Sequence, residues 1–138
     1  MSRLYVETSA LLRALLEGDA PLRARLTGAE VVTSALTFTE AARALARARR
    51  EGRLDARQVR EVERWLAAFE RSWDVLAVDH PVLDRARGEL PAEPVRTLDA
   101  IHLASILELD ESFGALTVVS CDDRIRRNAE ALGLPVAP

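Results

Sequence analysis

The 138-residue chain contains no lysine; all 19 of its basic residues are arginine. That absence removes phosphate-loop chemistry, Schiff-base chemistry and an acidic receiver pocket that relies on a lysine. An acyl-phosphate enzyme is further disfavoured because no Asp-x-Asp-x-Thr signature occurs. Cysteine is nearly absent too. The single Cys121 makes neither an internal disulfide nor a cysteine zinc cluster, which fits a reducing compartment. Aromatic residues are 4% of the chain, too few for sequence reading by base stacking. No apolar run approaches the roughly 20 residues of a membrane span, and no charged segment followed by an apolar one opens the chain. The expected setting is the cytoplasm, with no membrane association.

What is present describes one globular unit, expected to span residues 1–138. Hydrophobic residues make up 49% and charged residues 30%, with Gly and Pro at only 6 each, so neither disorder nor a fibrous repeat is favoured. Short β-type runs at Leu4–Val6, Val31–Thr33, Val75–Val78, Leu116–Val119 and Leu134–Val136 alternate with helical patterns. Such alternation predicts an α/β fold, a parallel sheet with helices on both faces. Thr8 or Ser9 is placed to cap the first helix, Ser34 or Thr37 the one after strand two, Asp55 the next, and Thr97 the helix "LDAIHLASILEL". In that last helix Leu98, Ile101, Ala104, Ile106 and Leu109 are expected on the buried side.

The net charge of −3 is unevenly spread. Between Arg43 and Arg71 nine arginines face five acids, a local +4 that leaves −7 for the rest. This segment reads either as solvated helices carrying i,i+4 ion pairs or as a phosphate-binding face.

The acids fall at telling places. In an open parallel sheet, ligands bind outside the carboxyl ends of the strands. Glu7 closes the first strand and Asp122 follows the fourth; a reversal of strand order between them would put both in one crevice. Asp99 lies in the first turn of its helix and Glu40 in the early turns after strand two. Four carboxylates converging there would repel one another unless a cation neutralised them. Oxygen-only ligation suits Mg²⁺ or Mn²⁺ better than zinc, and carboxylate-held divalent ions support displacement at phosphorus.

Four segments in order resemble the PIN-domain nucleases, and specifically VapC-like toxins of toxin-antitoxin pairs: "YVETSALLRALL", "TSALTFTEAARAL", "RTLDAIHLASIL" and "VVSCDDRIRRNAEALGL". The resemblance covers essentially the whole chain and implies a three-layer α/β/α sandwich with a five-stranded parallel sheet. It also implies a Mg²⁺- or Mn²⁺-dependent endoribonuclease, a homodimer, and a small VapB-like antitoxin as partner, with RNA as substrate. On this reading Glu7, Asp99 and Asp122 hold the principal cation, while Glu40 holds a second ion or orients the attacking water. Ser9 and Ser120 hold metal-bound water or a carboxylate. Arg43, Arg47 and Arg50 contact RNA on the rim, with antitoxin docking as the competing use of the basic segment.

One position departs from the family, whose first acid is nearly always Asp where this chain has Glu7. The extra methylene carries the carboxylate out by about 1.5 Å. Either Glu7 folds back, or the metal sits further out, or it binds weakly; the last two lead to an alternative reading as a catalytically impaired module that binds RNA or a partner. His102, three residues after Asp99, is expected to be structural rather than a ligand. Asp123 is expected to support the site from outside or face solvent, and Trp65, Phe69 and Trp73 to pack in the core or a dimer interface.

Overall fold

The computed structural model describes residues 3–137. Five strands, β1 (Arg3–Val6), β2 (Val31–Ser34), β3 (Asp74–Leu76), β4 (Leu116–Val119) and β5 (Val136–Ala137), form one parallel sheet in the order β3-β2-β1-β4-β5. Seven helices connect them: α1 (Thr8–Leu15), α2 (Ala20–Gly28), α3 (Ala35–Arg50), α4 (Ala56–Ser72), α5 (His80–Ala86), α6 (Thr97–Phe113) and α7 (Asp123–Ala131). The order reverses between β1 and β4, which pair from Arg3–Leu116 to Val6–Val119. The five-stranded α/β/α expectation is borne out.

Strand periodicity explains the layers. Along β1, Leu4 and Val6 face one core with Leu11, Phe38, Val59 and Phe69, whereas Tyr5 faces the other with Leu103, Ile106, Val118 and Ile125. Alternate side chains thus enter opposite cores, and both sheet faces are covered. Phe69 and Trp73 stack with ring centroids 4.4 Å apart and are buried, so these aromatics are packing residues. Arg23 lies over Trp65.

Several sequence expectations need correction. The first helix is capped by Glu7, not by Thr8 or Ser9, and the helix of Asp99 begins after Arg96 without any side-chain cap from Thr97. Ser34 and Asp55 do cap α3 and α4, and Asp55 and Gln58 form a capping box. Leu98 is 48% exposed rather than buried, because it lies in the first turn of α6, before the helix passes under the sheet. At the edges β3 starts at Asp74 and ends at Leu76, and β5 starts only at Val136. Leu134 is not in that strand: its N–H returns to Ala129 O at 2.9 Å after Gly133 turns the chain at φ 81°, so it still closes α7.

The loop leading to α6 is fixed from the far side. Buried Asn128 on α7 accepts from Ala92 N–H at 2.8 Å and donates to Ala92 O at 3.1 Å. This pair of hydrogen bonds to the backbone of one residue anchors the segment that delivers Asp99. No helix among the described residues is long and apolar enough to cross a membrane.

Candidate active site

The site assembles at the carboxyl ends of β1 and β4. Glu7 is 6% exposed and sits at the N-terminus of α1, where its Oε2 accepts from Ser9 N–H at 3.1 Å. Its Oε1 accepts from the Ser9 hydroxyl and, at 2.5 Å, from the Ser120 hydroxyl on the neighbouring segment. Each serine oxygen also takes a backbone donor, Ser9 from Cys121 N–H at 2.8 Å and Ser120 from Asp122 N–H at 3.0 Å. The longer side chain of Glu7 folds back onto the start of its own helix. Both serines hold this carboxylate.

The same serine-lined loop delivers Asp122. Its Oδ1 caps α7 by accepting from Arg124 N–H at 2.8 Å and Ile125 N–H at 3.3 Å, which leaves Oδ2 without a hydrogen bond to the described residues. Asp123 opens α7 and is exposed.

Glu40 reaches the site from α3. Its Oε1 accepts from Thr8 Oγ1–H at 2.6 Å and lies 2.5 Å from His102 Nε2. An ionised carboxylate only accepts, so Nε2 carries a proton; Nδ1 is hydrogen-bonded to the Tyr5 hydroxyl at 2.8 Å. Burial is the main cause holding the Tyr5 phenol protonated. Burial alone would raise the pKa of Glu40, but the hydrogen bonds from His102 and Thr8 outweigh it and hold the carboxyl below its ordinary range.

Asp99 stands one helical turn before His102 on α6. Its Oδ2 is buried and has no hydrogen-bond partner; Arg96 Nε, on a largely exposed side chain, lies 3.6 Å away, beyond hydrogen-bonding range. Such a buried acceptor without a hydrogen bond is costly, and its ion pair with the exposed Arg96 offsets little of that cost.

Two chains of bonds tie the sequence-predicted acids to their neighbours, Asp122–Ser120–Glu7 and Thr8–Glu40–His102, with Thr8 next to Glu7 in the chain and Asp99 a helical turn before His102. They do not form a closed cage: among the described residues no three His, Cys, Asp or Glu side chains are grouped to hold a metal ion as they stand. The donor chemistry fits a hard divalent cation, being all oxygen with one orphaned carboxylate oxygen, and Mg²⁺ retains several waters in such sites. Tyr5 and Thr8 are partners that the sequence did not mark. The signal for His102 was its spacing from Asp99; its partner Glu40 lies 62 residues away.

Beside Glu40 a surface groove continues along α3, lined by Leu36, Arg43, Arg47, Arg50 and Leu98. These three arginines are exposed, and among the described residues none forms an ion pair. Within 43–71 the one pair is Arg53–Glu51 at 3.6 Å, so the i,i+4 ion-pair reading of this face does not hold.

This fold and acid arrangement define a class, and the comparisons agree: the chain belongs to the PIN-domain family, whose model matches residues 4–131. Within that family it is VapC-like, being similar to Ribonuclease VapC46 of Mycobacterium tuberculosis with 39% identity over 143 residues, 99% of this chain and 97% of that one. Its fold is shared with the crystal structure of VapBC2 from Rickettsia felis bound to a promoter DNA fragment, at a TM-score of 0.65 and 11% identity over 98% of this chain and 97% of the other. A toxin-antitoxin complex from Klebsiella pneumoniae matches at a TM-score of 0.60 and 18% identity over 99% of this chain and 97% of that one.

Proposed function

We propose that this protein is an endoribonuclease toxin of the VapC type, using Mg²⁺ or Mn²⁺ to hydrolyse RNA phosphodiester bonds. The observation that carries the reading is the orphaned Asp99 Oδ2 in a site of oxygen donors, in a chain related over its whole length to a ribonuclease. Glu7, Asp99 and Asp122 would hold the cation, with Ser9 and Ser120 fixing the Glu7 carboxylate. A bound divalent ion would supply activation of water and stabilisation of charge on the phosphate oxygens. Glu40 presents Oε2 to hold a second ion or orient the attacking water, since Oε1 is already taken by Thr8 and His102. Arg43, Arg47 and Arg50 hold backbone phosphates of the RNA in the groove beside Glu40.

A VapB-like antitoxin is the expected inhibitor, and a homodimer the expected assembly. Cleavage of RNA by antitoxin-free protein with Mg²⁺ or Mn²⁺ tests the activity, and co-purification with a small upstream-encoded protein tests the partner. A second reading is favoured by one feature. The Glu7 carboxylate already accepts three hydrogen bonds, which suits a structural cap, and the protein would then bind RNA or a partner without cutting.

A further inference from the structure

We infer that His102 is a positioning residue that fixes Glu40 for its work on water, through a relay beginning at Tyr5. This deepens the nuclease reading above and rests on it. Three elements meet in the relay. Tyr5 comes from β1, His102 from α6 and Glu40 from α3, with bonds of 2.8 Å and 2.5 Å joining them in series. Tyr5 is 0% exposed and His102 1% exposed, so both rings are withdrawn from bulk solvent. The imidazole is oriented at both nitrogens, and its Nε2–H can give only toward Glu40 and Thr8.

The consequence falls on one oxygen. Thr8 and His102 both donate to Oε1, so the carboxylate cannot rotate about its terminal torsion without breaking two bonds, and Oε2 is the oxygen kept for the site. Because His102 and Asp99 share α6, the same helix that presents Asp99 also sets the position of Glu40. Outer groups of this kind orient an inner carboxylate as well as shielding it, and removing one typically lowers activity about 10–100-fold.

A double-mutant cycle on the full-length protein tests the assignment. His102→Leu is expected to lower kcat about 10–100-fold with KM changed less than about twofold, and His102→Gln, which keeps a donor toward Glu40, to recover most of the loss. In a Glu40→Gln background His102→Leu should cost less than about twofold more, because its effect passes through Glu40. Fully additive losses would overturn the inference. Tyr5→Phe, which deletes only a hydroxyl, serves should the leucine variant fold poorly; unchanged kcat in it, with Glu40→Gln strongly impaired, would also overturn it. A crystal structure of a His102 variant gives a readout independent of cleavage: a displaced Glu40 carboxylate supports the relay, and an unmoved one contradicts it. If instead Asp99→Asn cleaves as well as wild type, the nuclease reading fails while the structural readout still decides the role of His102.

Discussion

The Ser120 hydroxyl donates to Glu7 Oε1 at 2.5 Å, joining the ends of β4 and β1 across 113 residues of sequence. The Ser120 hydroxyl oxygen in turn accepts from Asp122 N–H, so one side chain couples two of the candidate ligands. Ser120→Ala leaves a buried carboxylate short of a donor and an amide short of an acceptor. It should cost about 1–3 kcal/mol of stability, measured by urea unfolding. A change under about 0.5 kcal/mol, the size expected of ordinary surface substitutions, would show that this link is dispensable.

Glu7→Asp retracts the carboxylate by about 1.5 Å and withdraws it from the two serine hydroxyls. Because this site has set its serines around the longer side chain, the variant should cleave no faster than wild type. A rise of about tenfold or more, a gain of roughly 1.4 kcal/mol in transition-state stabilisation, would support the impaired reading instead.

Glu40 makes stability depend on pH in a definite direction. Its folded carboxyl is held below the ordinary value of 4.5, so the unfolded chain takes up its proton first as pH falls. The associated stability is present above about 4.5 and is lost as pH drops through the lowered folded value. Glu40→Gln lacks this contribution. The stability gap between wild type and variant, followed by urea unfolding in chelator from pH 7 to 3, should narrow below about pH 4.5; a gap constant with pH would contradict the relay from His102 and Thr8.

The arginines beside Glu40 should reveal themselves through salt. If each neutralises one phosphate of single-stranded RNA, each change of Arg43, Arg47 or Arg50 to Gln reduces the slope of log affinity against log salt by about 0.7. Slopes unchanged in all three variants would remove the groove along α3 from the RNA path.

The sheet was legible in the sequence where strands are buried on both faces, because β1, β2 and β4 carry the short β-type runs Leu4–Val6, Val31–Thr33 and Leu116–Val119. It blurred at the two edges. There β3 is largely exposed and opens on an acid, and the apolar run that marked it, Val75–Val78, continues past its end at Leu76, while Leu134 is buried as a helix terminator rather than a strand residue. The four acids were legible from their places at strand ends and helix starts. What joins them was not: Tyr5 meets His102 across 97 residues, and Thr8 is taken from capping by Glu40, 32 residues on. Such partnerships arise from the topology that brings β1, α3 and α6 together, and no local pattern encodes them. Leu98 was misplaced for a related reason, since helical spacing describes a face but not where the face leaves the core.

The central claim is that the carboxylates form a working metal-dependent nuclease site, and Asp99 tests it most directly because its buried Oδ2 has no other hydrogen-bond partner. Cleavage of a labelled RNA by purified, antitoxin-free protein should be compared with the Asp99→Asn variant in Mg²⁺ and in Mn²⁺. The account predicts cleavage by the wild type that chelation abolishes, and a loss of about a hundredfold or more in the variant with its unfolding midpoint no lower, a loss of roughly 2.7 kcal/mol in transition-state stabilisation. Equal cleavage by the two proteins, or none by the wild type with either metal, would contradict it.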